Sequence, residues 1–440
     1  MLTVTPSLTL SRRRLGMGAA LLASASERAL AQASGNCTTV PDKPTTERPD
    51  PQPNARDFSE AEVALAFRSH GLQYETLDQQ LTPIGEHYLL THFDIPALSA
   101  DNYFLAIGGL VSNPQRLSLT SIKALPSIDQ VVTMQCAGVG RRRLAPRPVY
   151  VPWEHECIGT YRWTGTPLRP LLEKAGLEAG AVEVLFTGWD AGIDLGVEHA
   201  FERSLPIQEA LQDEVMLAWA QNGQTLLPEH GFPLRLIVPS WYGMASVKWL
   251  RAITILPEAF QGVQQKQVYI YQQVKDGPAE PVTRKRVDSV MIPPGRPDLL
   301  TRDRYVHGGQ QQLQGKAWTG TGTVTKVEVS TNGGTSWQLA QLAAVAPDPY
   351  AWVEWSVQWS PRAGQSTLMC RATDSAGNVQ PVDPQTLWNL EGNAVAASQQ
   401  IKVTLLHPAE DVLDHVPCVA HAVARGAKVP PLVSVTNTMA

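Results

Sequence analysis

The stretch Val131-Val132-Thr133-Met134-Gln135-Cys136-Ala137-Gly138, followed by Arg141, Arg142 and Arg143, is the point around which the chain's organisation can be read. The β-branched run favours a strand, and it ends in a cysteine flanked by small residues that let other groups approach closely. A thiol near fixed positive charge has a lowered pKa and serves as a metal ligand or a nucleophile. A cysteine at a strand end is also an ordinary small buried residue. On this stretch alone both readings stand.

Outward from it, Tyr103–Ile107, Val131–Met134, Val182–Phe186 and Leu234–Val238 read as strands. Leu168–Ala175, stopped by Gly176, and Ile207–Leu211 read as short helices between them. Such mixing predicts an α+β domain, placed at residues 58–258. At its start Ser59-Glu60-Ala61-Glu62 forms a capping box for a helix expected to stop at Gly71. Residues 258–305, rich in Gln, Pro and Arg, read as irregular, with 259–287 as the linker. From 288 to 406 the texture changes. Gln314–Trp318, Val324–Ser330, Trp337–Leu342, Trp352–Trp359 and Thr367–Thr373 are short β-rich runs, with Asn332-Gly333 and Ala376-Gly377-Asn378 as turns. Regular short strands over this length predict an immunoglobulin-like sandwich. Residues 407–440 form a tail, and no internal repeat is visible.

The N-terminus carries a different message. Ser11-Arg12-Arg13-Arg14-Leu15-Gly16 precedes an apolar run to about Leu22 and an Ala29-Leu30-Ala31 cleavage signature. Residues 1–31 therefore read as a twin-arginine signal peptide, which exports folded proteins to the periplasm. The apolar run is too short to span a bilayer, so no transmembrane segment is expected. Residues 32–57, with Pro41, Pro44, Pro49, Pro51 and Pro53, read as an extended leader. The chain's net charge is −5, and losing four Arg and one Glu with residues 1–31 would take it to −8. No basic stripe points to nucleic acid. The five cysteines (Cys37, Cys136, Cys157, Cys370 and Cys418) form no C-x-x-C, so a zinc ribbon, thioredoxin chemistry and covalent haem are unsupported.

Cys136-Ala137-Gly138 with Arg141 resembles the molybdenum-ligating cysteine loop of the sulfite oxidase family. Phe186-Thr187-Gly188-Trp189-Asp190, His230-Gly231-Phe232-Pro233-Leu234-Arg235 and Gly243-Met244-Ala245-Ser246-Val247-Lys248-Trp249-Leu250 resemble successive segments of that family, in order. Ala317-Trp318, Gly377-Asn378-Val379-Gln380-Pro381 and Trp388-Asn389-Leu390 resemble its sandwich domain, which implies homodimer formation. The likeness runs from about Thr82 to Leu405. It implies molybdenum held on a single molybdopterin (pyranopterin), with Cys136 as the protein's metal ligand. His92, Asp190, His230, Arg235, Ser246, Val247 and Lys248 match positions that hold the pterin and its phosphate. Arg and Lys suit a buried phosphate, and Asp can accept from amino groups. Apart from the resemblance, Asp190 is equally a turn residue, His230 a surface histidine and Arg235 half of a salt bridge. Arg141, Trp163 and Tyr269 match the substrate side, with Tyr271 as the other candidate for the tyrosine.

Two departures bear on the substrate. Leu90, in Tyr88-Leu89-Leu90-Thr91-His92, and Glu391, in Trp388-Asn389-Leu390-Glu391-Gly392, stand where sulfite-oxidising members carry Arg. A buried anion needs compensating charge. Arg142, Arg143, Arg147, Arg203 and Lys316 are candidates to supply it. The family implies oxidation of sulfite to sulfate by oxo transfer. With no haem or iron–sulfur motif here, the electrons would go to an external acceptor such as cytochrome c. A relative acting on another sulfur compound, as a sulfane-type dehydrogenase or a sulfoxide reductase, is the alternative. A cofactor-free binding protein on the same scaffold is the third reading.

Overall fold

The computed structural model describes residues 65–299, 301–343 and 348–406, all within one compact unit spanning Pro53–Leu406. The expected signal peptide, the Pro-rich leader, the capping box and the tail from 407 lie outside the described residues. Of the helix expected to reach Gly71, residues 65–66 are helical, and Ser69–His70 is already a short strand against Leu89–Leu90. Among the described residues no helix is long and apolar enough to cross a membrane.

Two five-stranded sheets share the first core. In one, the order is Gln115–Ser118, Phe104–Gly109, Leu250–Leu256, Glu183–Asp194 and Val197–Pro206. Leu105, Ile107, Ile253 and Ile255 alternate inward, the period-2 signature of a sheet with one wet face. In the other sheet Ile128–Gln135 pairs with Ile158–Pro167, which pairs with Met216–Gln221, and that strand also takes Arg235–Ile237. Here Val131 through Gln135 are all buried. The strand is covered on both faces: Val132 and Met134 enter the first core, while Gln135 bonds to Asp288 and Trp318 of the following domain. The covered second face is polar, with Thr133 and Gln135, so the strand is legible from its β-branched run Val131-Val132-Thr133. The helix Arg169–Ala175 buries Leu171, Leu172 and Ala175 and ends at left-handed Gly176, as its sequence predicts.

The second core lies between a four-stranded sheet and a six-stranded one. Leu313, Val327, Val329, Trp355, Leu368 and Val403 fill it. The run Trp337–Leu342 is two strands rather than one. Gln338–Leu339 pairs with Glu328–Val329 in the larger sheet, and Gln341–Leu342 crosses to pair with Trp355–Ser356 in the smaller. A chain that switches sheets in this way closes one corner of a sandwich.

The segment expected to be an irregular linker is not one. It holds a wide helical turn, Gln264–Val268, and a hairpin of Ile270–Gln272 with Ala279–Pro281. Val263, Val268, Tyr269 and Val282 all join the first core. Their spacing follows neither a helical nor a strand period, so no pattern announced them. Ala394 and Ala396, from the end of the chain, join the same core.

Candidate functional site

Cys136 is buried at the end of its strand, where two cavities meet. An inner cavity of about 580 Å³ and an outer one of about 800 Å³ share Leu90, His92, Cys136 and Tyr269 as lining. The thiol is drawn down to about 7, first by a hydrogen bond from Cys157, with the Gly138 amide (3.4 Å) and the Arg141 charge adding to it against the opposing effect of burial. It is thus poised to be a thiolate near neutral pH. A Cβ on Gly138 would strike Arg141 and Trp153, so the small residue after the cysteine keeps the arginine close to the sulfur. Among the described residues no cluster of three or more His, Cys, Asp or Glu is placed to hold a metal.

The inner cavity gathers Arg235 and Lys248, neither in a salt bridge with a carboxylate among the described residues, although Asp190 and Glu229 lie near enough to act on the Lys248 charge. Arg235 donates to the carbonyls of His230 (2.9 Å) and Ser246 (3.0 Å), and its Nε has no partner. Lys248 donates to the carbonyls of Leu90 (3.1 Å) and Glu229 (3.0 Å), and burial followed by the Arg235 charge pushes it down to about 7. Burial and then the same cations hold His230 down at about 3, and it stacks on His87 at 4.2 Å. Asp190 sits at a register shift of the Glu183–Asp194 strand. Its buried Oδ1 has no donor, and burial raises the carboxyl to about 6. A Cβ on Gly188 would collide with that oxygen, so the glycine makes room for it. Ser246 lines the cavity and its Oγ accepts the Val238 amide at 3.0 Å. The readings of Asp190 as a turn residue, His230 as a surface histidine and Arg235 as a salt-bridge partner all fail against this burial and pairing.

The outer cavity is more apolar, with Leu65, Leu90, Phe93, Val151 and Ile193 on its walls. Arg141 is its only arginine or lysine among the described lining residues. Its Nε donates to Glu391 O (3.1 Å), Nη1 to Val151 O (3.1 Å) and Nη2 to Asn393 Oδ1 (3.2 Å). Tyr269 presents its hydroxyl 2.6 Å from His92 Nε2. Burial pushes His92 down to about 3 and drives Tyr269 well up, so the pair is neutral and shares one proton. Two carboxylates belong to this side. Glu391 is half-buried against Tyr150, with burial raising its pKa, and Asp194 accepts from Gln264 at 3.0 Å.

The structure thus gathers His92, Cys136, Asp190, His230, Arg235, Ser246 and Lys248 at one cavity, and Arg141 and Tyr269 at the other. Tyr271 instead packs under Arg286 at 5.1 Å, which decides between the two tyrosines. Trp163 does not wall the substrate side. It is fully buried behind Arg235, 5.0 Å from the guanidinium, and lines neither cavity. Val247 is buried too, contributing backbone pairing to Leu236 rather than a side chain. None of Arg142, Arg143, Arg147, Arg203 and Lys316 lines the outer cavity. Arg143 is spent on Ala397 O and Ser398 O, Arg203 on Gln264 O and Val282 O, and Lys316 on Glu354. His87, Tyr150, Asp194 and Asn393 line the site without having been singled out, since each stands outside the quoted motifs.

Residues 92–264 match the oxidoreductase molybdopterin binding domain, and residues 280–405 the Mo-co oxidoreductase dimerisation domain. The chain is 33% identical to a sulfite oxidase of Gallus gallus over 332 residues, covering 71% of this chain and 70% of that one. It is 32% identical to the mitochondrial sulfite oxidase of Macaca fascicularis over 72% of this chain, a match spanning 60% of that protein's length. Among solved structures it is similar to the sulfane dehydrogenase SoxCD from Paracoccus pantotrophus, at 26% identity and a TM-score of 0.65, covering 81% of this chain and 97% of that one.

Proposed function

The chain belongs to the sulfite oxidase family of molybdopterin oxidoreductases, and from that premise we propose that it oxidises a sulfur compound by oxo transfer, sulfite to sulfate in the first reading. The observation that carries the reading is Cys136, a buried thiol drawn toward the thiolate where a cationic inner cavity meets an outer one anchored by Arg141.

The family's cofactor is molybdenum on molybdopterin, and the residues present fit it. A partnerless Arg235 Nε and a buried Lys248 held only by backbone carbonyls suit a phosphate, and the donorless Asp190 Oδ1 suits an amino-bearing heterocycle. Cys136 would give the metal a soft sulfur ligand. The group supplies two-electron redox and oxygen exchange; orientation, exclusion of water and proton placement fall to this chain. Arg141 would hold the oxyanion, and the Tyr269 hydroxyl, sharing its proton with a neutral His92, would offer a hydrogen bond without adding charge. Oxidising sulfite with one water yields sulfate, two protons and two electrons, which an external one-electron acceptor such as cytochrome c would take. In the same proposal the protein is exported through its twin-arginine leader to the periplasm and pairs as a homodimer through its sandwich domain.

A second reading has its own support. With Leu90 apolar and Glu391 and Asp194 beside Arg141, the outer cavity is poorly charged for a small anion and suits a sulfane sulfur compound. Steady-state oxidation of sulfite against an alkyl persulfide, with cytochrome c and ferricyanide as acceptors, decides between them. A larger kcat/KM for sulfite supports the first reading and a larger value for the persulfide the second. Turnover of neither would reject both.

A further inference from the structure

We propose that Asn393 is the positioning residue of the substrate side, setting the Arg141 guanidinium against Tyr269 and tying both to the Cys136 loop. Its side chain is buried and every polar atom of it is used. Oδ1 accepts from Arg141 Nη2 at 3.2 Å, while Nδ2 donates to Val268 O at 2.9 Å and Ile270 O at 3.2 Å, the carbonyls on either side of Tyr269. The next residue carries the link onward: the Ala394 amide donates to Ala137 O at 2.6 Å, one residue past the cysteine. Asn389 fixes Asn393 from behind, accepting its amide at 2.9 Å and donating to its carbonyl at 2.8 Å. Two groups from distant parts of the chain are thereby referred to a single side chain, and the Cys136 loop to the backbone of the residue that follows it.

Only a short carboxamide can fill this place. It must accept from a cation and donate to two carbonyls at once. A carboxylate would accept from Arg141 but has no donor for Val268 and Ile270, and it would cancel the charge the cavity offers. An aliphatic side chain leaves buried acceptors without partners. Asn393 also lines the outer cavity, so its placement of Arg141 acts where a substrate enters.

The test uses the cofactor-loaded protein and inorganic sulfate as the anion probe, with affinity read by calorimetry. Asn393→Asp is expected to weaken sulfate binding about tenfold to a hundredfold, because a carboxylate there pairs with Arg141 and the probe loses its charge-assisted contact. Affinity within about twofold of the wild type would overturn the proposal. Should that variant fold poorly, Asn393→Ala is compared in the wild-type and Arg141→Ala backgrounds. If Asn393 acts through Arg141, its substitution weakens sulfate binding in the first background and does nothing further in the second. Equal losses in both backgrounds would refute it. The kinetic significance rests on the proposed oxidation, whereas the sulfate comparison does not. A wild type that turns over no sulfur compound would defeat that reading and still leave binding to judge Asn393.

Discussion

Replacing Glu391 by Gln changes one charge on the substrate side and little else. The amide keeps the size of the carboxylate and its hydrogen bond to Tyr150, and the backbone carbonyl that accepts from Arg141 is untouched. A unit charge roughly 6–8 Å from a bound anion, in a half-screened site, interacts with it by about 1–2 kcal/mol. If sulfite is the substrate, Glu391→Gln should therefore lower its KM about fivefold to thirtyfold, with kcat little changed. Burial raises the Glu391 pKa, so the wild-type carboxylate becomes neutral as pH falls toward the acid side. The KM values of wild type and variant should converge there and part as pH rises. Comparing the two enzymes at each pH cancels the protonation of sulfite itself. The assay is steady-state oxidation with ferricyanide across the acid-to-neutral range. A KM that stays flat or rises in the variant would show that Glu391 does not act on the bound anion. Glu391→Arg should act in the same direction and more strongly.

Other outcomes follow from the same geometry. Arg141→Ala should raise the KM for sulfite about tenfold to a hundredfold, since among the described residues no second Arg or Lys lines the cavity; kinetics indifferent to it would refute the anchor. Trp163→Phe should weaken pterin retention by about twofold to thirtyfold through the stack on Arg235 while leaving substrate KM alone, as checked by pterin content after dialysis. Burial holds Lys248 and Lys285 at about 7, against about 10.4 in an unfolded chain. Between those values the unfolded chain carries protons that the folded one lacks, so stability of the cofactor-free protein should rise with pH. Denaturant melts between about pH 8.5 and 10.4, above the range in which Cys136 also contributes, should show the slope fall by about half in Lys248→Met; an unaltered slope would contradict the burial of that amine.

How much the sequence disclosed follows from where each signal lies. The strand before Cys136 was legible because its β-branched run favours extended chain, and the inner cavity because its residues sit in compact motifs. Tyr269 and Tyr271 could not be separated, since they flank one buried position in a hairpin that has no period of its own. Trp163 was misplaced because its strand puts the indole under Arg235, and only the register of three strands determines that. Asn393 gave no signal: its partners lie 252, 125 and 123 residues away, and nothing local distinguishes a positioning asparagine from a turn residue. The sheet switch within Trp337–Leu342 escaped notice for a similar reason, because Ala340 marks the crossing without a glycine or proline.

Metal and pterin content decide whether this cavity holds a molybdenum cofactor through Cys136. Protein made in a host that synthesises molybdopterin should carry about one molybdenum and about one pyranopterin per chain, and Cys136→Ser should lose oxo-transfer turnover because a hydroxyl poorly replaces a soft thiolate. Protein that folds normally in such a host with neither metal nor pterin, or a serine variant with full turnover, would contradict the account.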